Sequence, residues 1–417
     1  MTRRDNLLVW MAGVPWDGIR GTDRHLATAM SRHARILWVD PAVSPLARRT
    51  TNFRSFRPGL SVIDDRVTRL TPVRLPGRNR PVVRETTAPL GRSQVRWALR
   101  RLGMRPHAVV VTHLENFLGF WGHGVVNVLY GTDDYVAGAD LMGLPLGRVR
   151  RHELRALARA DVVAAVSPEL AARWASLGAS PLLLPNGCWP SGVRMIPSNG
   201  CRSSAVRAYP ASPETRNPPP PVVALVGQLS DRIDLTALEA VADSGLSLLI
   251  VGPLDPRWGG QRFRALTARP NVRYMGQVPA ESVPSHLAAA DVGITPYRDT
   301  PFNRASFPLK TLEYLSAGLP VVSADLPSAR WLRSDLMRGT FAPFADQMLV
   351  LARGSVDYPQ AIRAIADRTH WLRSGAGAAG DPGDEDLARR CVAFAATHAW
   401  PRRADALAAA VGLFPSS

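Results

Sequence analysis

The chain has 417 residues, 46% of them hydrophobic and 20% charged, enough for two domains that each bury a core. Lysine and arginine outnumber acidic residues 51 to 34, giving a net charge of +17 and a pI near 11.1, which calls for a polyanion or an anionic membrane surface as a neighbour. No apolar run reaches the roughly 18 residues of a membrane-spanning helix, and three cysteines without a CxxC pair argue against a disulfide framework or zinc site.

The arginines are spread along the chain, with no block of five or six basic residues and no zinc-finger or RNA-binding signature. Nucleic acid is therefore not the expected partner. A reducing cytoplasm suits the cysteines, with the inner face of the cell membrane as a place where the charge finds a counterpart.

In chain order, Leu7 to Val14 reads as a buried strand entering a glycine-rich turn (Gly13, Gly18, Gly21) rather than as a short signal peptide. Thr22 to His33 is a helix and Arg35 to Asp40 a second strand; residues 41 to 67 are poorly patterned. Val67 to Leu75, His107 to Thr112, Val125 to Tyr130 and Val162 to Val166 read as strands, the last three being short Val-rich runs typical of buried parallel sheets. Helices are expected at Arg92 to Leu102, Arg148 to Arg159 and Pro168 to Leu177. From Cys188 to Pro221 the pattern dissolves into Ser, Pro, Asn and Arg, as in a linker.

The alternation then restarts with strands at Val222 to Leu225, Ser247 to Val251, Val272 to Met275, Val292 to Thr295 and Pro320 to Ser323. Beyond Phe341 helical stretches are read, with a Gly/Asp-rich break at Gly375 to Asp384 and the last two helices bent at Trp400–Pro401. The fold class is α/β, with two doubly wound, Rossmann-like parallel-sheet domains. The expected boundaries are 1–190 and 222–382, with a linker or insertion at 191–221 and tail helices at 383–417.

The stretch Pro301 to Pro327 carries the chemistry. It is expected to open as a polar loop and become a helix at about Pro308, with Leu309, Leu312 and Leu315 facing a core. Lys310 and Glu313 share another face, and Gly318 and Pro320 end the helix. A helix N-terminus with Lys310 suits a diphosphate, while Glu313 suits the vicinal hydroxyls of a ribose. Lys310 is the only lysine among the 51 cationic residues, and a compact ammonium in an arginine-rich chain suggests a site that needs one. An ordinary amphipathic helix with an i,i+3 ion pair has the same spacing.

This stretch resembles the donor-nucleotide motif of GT-B glycosyltransferases of the family 4 group, Pro-x-Lys-x-x-Glu-x-x-Ala-x-Gly-x-Pro-Val-Val. Pro308, Lys310, Glu313, Gly318, Pro320, Val321 and Val322 match it, with Ser316 in place of the Ala. Ala305 stands where many members have a second Glu, which contacts the donor sugar; Asn303 and Ser306 are near enough to substitute. His152-Glu153-Leu154, Ala160 to Ser167, Leu184-Pro-Asn-Gly187 and Ala290 to Pro296 resemble further family passages, so the likeness covers most of the chain. It implies two domains facing a cleft, a C-terminal helix crossing back to the first domain, and transfer of a sugar from a nucleotide diphosphate sugar to an acceptor hydroxyl. It further implies retention of configuration and no bound metal or cofactor. The implied setting is cell-surface polysaccharide or glycolipid synthesis, with a glycan or lipid-linked acceptor.

The donor candidates are Gly227, Arg232, Asn303, Ser306, Phe307, Pro308, Leu309, Lys310 and Glu313. Gly227 ends a strand where backbone can approach phosphate. Gln228 stands where the family often has Arg, which leaves Arg232 as the cation, unless Asp231 or Asp234 pairs with it. Gly13, Gly18 and Gly21 mark an acceptor-side loop or a plain turn. His113 ends a strand, where ligands of parallel sheets gather, though a satisfied core histidine is an equal reading. Asp133 and Asp134 end the next strand, as a base, as acceptor-hydroxyl ligands or as a helix-start signal. Lys310, Arg232, His113 and Asp134 are the catalytic candidates. Two other readings stay open, a nucleotide-sugar epimerase of the same fold and a non-enzymatic polyanion-binding protein.

Overall fold

The structure is a computed structural model that describes residues 6–18, 20–44, 58–77, 81–190, 220–373 and 383–413. It divides into two units, Met1–Asn186 with Trp400–Ser417, and Gly187–Ala399.

Unit 1 runs β1 (Leu7–Met11), α1 (Thr22–Met30), β2 (Arg35–Val39), β3 (Gly59–Val62), β4 (Val67–Thr71), α2 (Pro81–Leu102), β5 (Pro106–Val111), β6 (Val126–Gly131), α3 (Leu146–Leu157), β7 (Val162–Ala165), α4 (Pro168–Ser176) and β8 (Leu182–Leu183). The sheet order is β3-β4-β2-β1-β5-β6-β7-β8. All pairs are parallel except the edge hairpin β3–β4. β1 is buried at all five positions, as a strand covered on both faces must be.

Unit 2 runs β9 (Val222–Val226), α5 (Leu235–Asp243), β10 (Ser247–Val251), α6 (Gly260–Thr267), β11 (Val272–Tyr274), α7 (Val283–Ala288), β12 (Val292–Thr295), α8 (Pro301–Ala305), α9 (Leu309–Ser316), β13 (Val321–Ala324), α10 (Pro327–Leu336), α11 (Ala345–Met348), β14 (Leu349–Ala352), α12 (Asp357–Arg373) and α13 (Gly383–Thr397). Its sheet is parallel, in the order β11-β10-β9-β12-β13-β14. The last helix, α14 (Trp400–Ala410), belongs to unit 1, where its Trp400 ring stacks on His25 of α1 at 5.5 Å. Of the two tail helices, only this one returns to the first unit; α13 packs on α9, and a side chain at Gly318 would lie 3.2 Å from its Ala388.

Four local expectations are corrected. Residues 59–62 form strand β3, an exposed edge whose Val62 is 76% accessible, so no buried face marks it. Residues 301–305 are helix α8 rather than a loop, because the Thr300 hydroxyl accepts the Asn303 N–H at 3.2 Å and Pro301 occupies the first turn. Residues 349–352 form edge strand β14 within a stretch read as helical. Helix α2 begins eleven residues ahead of Arg92, at Pro81, with Pro89 inside it. The linker at 191–219 lies outside the described residues.

One buried ion network anchors unit 1. Arg173 of α4 reaches Asp134 (2.9 Å) and Glu153 of α3 (2.5 Å), and Trp174 donates to Glu153 at 2.9 Å. Both carboxylates are nearly sealed, with side chains 4% and 3% exposed. Removing the cation would strand two buried charges. Arg173→Ala is expected to lower stability by about 3 kcal/mol, measured as the urea midpoint followed by tryptophan fluorescence. An unchanged midpoint would refute the network's role.

Candidate active site

The donor candidates converge at the carboxyl ends of β9 and β12, where parallel sheets place their ligands. β9 ends at Val226, and Gly227 follows with φ +153°, a conformation that favours glycine. A Cβ at Gly227 would lie 3.8 Å from Cε of Lys310, so this turn and the start of α9 are neighbours. Gly252, which follows β10, supports the turn from the other side. A Cβ there would fall 1.9 Å from the Gly227 carbonyl oxygen.

Helix α9 presents an N-terminus that no side chain caps, preceded by extended Pro308. Its first-turn N–H groups are the partial positive charge that an anion seeks. Leu312 and Leu315 are buried, as their spacing predicts, and Leu309 is partly so. Lys310 and Glu313 form an ion pair, with side chains 28% and 30% exposed. The charge pair is therefore reachable and, without a ligand, neutralises itself.

Arg232 does not pair with Asp234, which instead caps α5 through Thr236 N–H (3.0 Å) and takes the Ser355 hydroxyl (2.5 Å). The Arg232 guanidinium donates through Nε to Asn303 Oδ1 at 2.9 Å and lies 5.3 Å from the Tyr297 ring and 4.9 Å from Phe302. Arg232, Lys310 and Glu313 all act electrostatically on the buried Tyr297 hydroxyl, whose pKa burial raises.

Asn303 is buried and its side chain is spent: Nδ2 donates to the carbonyls of Arg232 (3.0 Å) and Arg298 (2.8 Å). It positions Arg232 and has no polar atom left for a donor sugar. Ser306 is buried too, with its hydroxyl on the Phe302 carbonyl at 2.8 Å. Phe307 packs edge-on against Trp331 at 5.7 Å. These three residues shape the α8–α9 turn from beneath.

The unit 1 candidates gather separately, around the carboxyl ends of β1, β5 and β6. Gly13 N–H donates to Asp23 Oδ2 (3.0 Å) and to the Thr112 hydroxyl oxygen (3.1 Å). Gly18 N–H closes a turn on the Pro15 carbonyl at 2.9 Å, and Gly21 is the extended N-cap of α1. Between them Trp16 is fixed by its N–H on buried Asp40 (2.8 Å) and by Arg24, which donates to its carbonyl (2.8 Å) and covers its ring at 4.5 Å. The loop is a built structure rather than a loose turn.

His113 packs edge-on against Phe117 at 5.5 Å, and its Nδ1 accepts the Glu115 N–H at 3.2 Å. Burial lowers its pKa, so at neutral pH it is an uncharged ring with its proton on Nε2. Asp134 lies elsewhere in function. Besides binding Arg173, it accepts the N–H groups of Val136 (3.0 Å) and Ala137 (2.9 Å), the helix-start reading of the acidic pair. Its side chain is 4% exposed and ion-paired with Arg173, so it is poorly placed to act as a base.

Asp23 carried no mark in the sequence. It is 6% exposed, its Oδ2 takes Gly13 and the Thr112 hydroxyl (2.9 Å), and its Oδ1 has no hydrogen-bond partner. Burial, with Asp133 nearby, raises its pKa from 3.8 to about 6. Because the folded state holds this proton more tightly, ionised Asp23 costs stability above about pH 6 and costs nothing below about pH 3.8. Asp23→Asn is therefore expected to stabilise the protein by about 3 kcal/mol near pH 8 and to lose that advantage near pH 4. Denaturant melts of both proteins across this range check it. A gain independent of pH would contradict it.

Among the described residues, no three His, Cys, Asp or Glu side chains cluster to hold a metal ion, and no helix is long and apolar enough to cross a membrane.

Residues 220–353, which hold every donor candidate, match the family described as glycosyl transferases group 1. TuaH of Bacillus subtilis (strain 168), named for teichuronic acid biosynthesis as a glycosyltransferase, is 37% identical over 109 residues, 26% of this chain and 27% of TuaH. A D-inositol 3-phosphate glycosyltransferase of Geodermatophilus obscurus is 30% identical over 182 residues, 44% of this chain and 33% of that protein. The chain thus spans roughly a quarter to a third of the length of these relatives. Among solved structures, Anabaena HepE, in complex with UDP and glucose, superposes with a TM-score of 0.62 at 15% identity, over 98% of this chain and 99% of HepE. Residues 220–353 are a glycosyl transferases group 1 domain, and the chain is built on the fold of the GT-B glycosyltransferases.

Proposed function

We propose that the protein is a glycosyltransferase that moves a sugar from a nucleotide diphosphate sugar to an acceptor hydroxyl. The observation that carries this reading is the Lys310–Glu313 pair on an uncapped helix N-terminus beside Gly227. The diphosphate lies over Gly227 and the α9 N-terminus, and draws Lys310 away from Glu313. The freed carboxylate then accepts the two ribose hydroxyls. Arg232, held over Tyr297 by Asn303, supplies the second cation. As the sugar–phosphate bond breaks, charge grows on the departing diphosphate, and fixed cations there lower the barrier. Unit 1 takes the acceptor at the loop of Gly13, Gly18 and Gly21, near the neutral imidazole of His113. Transfer proceeds with retention and without a bound metal.

TuaH's name and the UDP held by HepE support this reading, and teichuronic acid suggests a cell-surface polysaccharide or glycolipid as product. The acceptor is a glycan or lipid-linked glycan met at the cytoplasmic face of the membrane, which suits the charge of +17.

The test is thermal stabilisation by UDP, GDP, ADP and their glucose or mannose conjugates. A ligand at 100 times its Kd stabilises the wild type by about 2.7 kcal/mol. Glu313→Ala and Lys310→Ala, both folded, are each expected to weaken binding by at least tenfold. Absence of any shift with the wild type would discard the donor site.

A further inference from the structure

A second feature of unit 1 lies between β6 and α3 and uses none of the candidate residues. Residues 140–147, Asp-Leu-Met-Gly-Leu-Pro-Leu-Gly, are exposed without interruption. Leu141, Met142, Leu144 and Leu146 all stand in solvent, Leu141 at 51%. Four large apolar side chains in six residues, each 40–51% exposed, are a concentration of apolar surface of the kind that marks an interaction site.

Helix α3 continues from this segment. Its inward stripe is Val149, Glu153 and Ala156, with Glu153 held by Arg173. The exposed positions are 150, 151, 154 and 155, followed by Ala158 at the C-cap. At helical spacing these make one outward face of Arg150, Arg151, Leu154 and Arg155. The helix's one acid points inward, so that face carries positive charge and Leu154, which is 50% exposed. Beyond α3, Arg92 and Arg159 cover Phe120 at 3.6 and 5.0 Å, and the pKa of Arg92 is lowered by burial first and then by Arg96 and Arg159.

We propose that residues 140–147 and the outward face of α3 dock onto a bilayer carrying anionic phospholipid. Leu141, Met142, Leu144 and Leu146 enter the headgroup boundary, and Arg150, Arg151 and Arg155 pair with lipid phosphates. Apolar side chains set beside arginines are the composition of an interfacial element, and each basic residue near an anionic leaflet adds to the attraction. A nucleic acid would use the arginines but leave the leucines without a partner. The surface gives the proposed transfer a place to meet a lipid-linked acceptor and in that respect rests on the preceding reading. Its test uses no nucleotide, so the two can fail separately.

The full chain is sedimented with phosphatidylcholine vesicles, with and without about one third phosphatidylglycerol. The wild type is expected to bind the anionic vesicles and not the neutral ones. Leu141→Asp with Leu144→Asp, and separately Arg150→Glu with Arg151→Glu, should each weaken binding at least tenfold. Arg264→Glu with Arg338→Glu, an equal change of charge on exposed residues of unit 2, should stay within twofold of the wild type. Loss equal to that of the α3 variant in this control would reduce the effect to net charge and overturn the proposal. So would unchanged binding by the leucine variant, equal binding to neutral vesicles, or no binding at all.

Discussion

Unit 2 depends on one buried tyrosine. The β9–β12 ladder stops at Ala224 opposite Gly293, two residues short of the end of β9. Tyr314, in the middle of α9, fills that gap, and its hydroxyl oxygen accepts the Val226 N–H at 2.7 Å. The ring fits only because position 293 is glycine; a Cβ there would lie 2.5 Å from it. Without the hydroxyl, a backbone N–H would be stranded in the core at a cost of about 1–3 kcal/mol. The same contact fixes the rotation and height of α9, and with them the position of Lys310 beside Gly227.

Buried carboxylates do the comparable work in unit 1, each joining elements far apart in sequence. Asp40 gathers Trp16 N–H, Trp38 Nε1, Arg69 and Thr71. It ties the end of β2 to the first loop and to β4. Glu153 and Asp134 share Arg173 and join α3 to α4. Asp23 ties the Gly13 turn to the end of β5. The first two sites have enough donors to satisfy their charge. Asp23 has no cation beside it in these contacts, and burial raises its proton affinity despite the donors of Gly13 and Thr112.

How much was legible in the sequence followed from how local each signal is. Parallel strands buried on both faces read as Val-rich runs, and the alternation of strands and helices gave the fold class. Lys310 and Glu313 were legible because both sit on one turn of one helix. For Asp134 the sequence shows the helix-start signal but not the ion pair, because its partner, Arg173, lies 39 residues away. Asn303 suggested a sugar ligand, yet its amide is consumed by carbonyls of two other loop residues. Asp23 gave no signal at all, since its environment is made by Gly13 and Thr112 from two other strand ends. The edge strands β3 and β14 lack a buried periodic face and escaped for that reason.

The solitary lysine has a practical consequence. Apart from the chain's α-amino group, Lys310 is the only primary amine that the sequence provides, and its side chain is 28% exposed. An amine-selective acylating reagent therefore has Lys310 and the α-amino group as its targets, because guanidinium groups do not compete for it. The arginine-rich composition leaves a single side-chain amine as an attachment point for a reporter group, at the place where the nucleotide is proposed to sit.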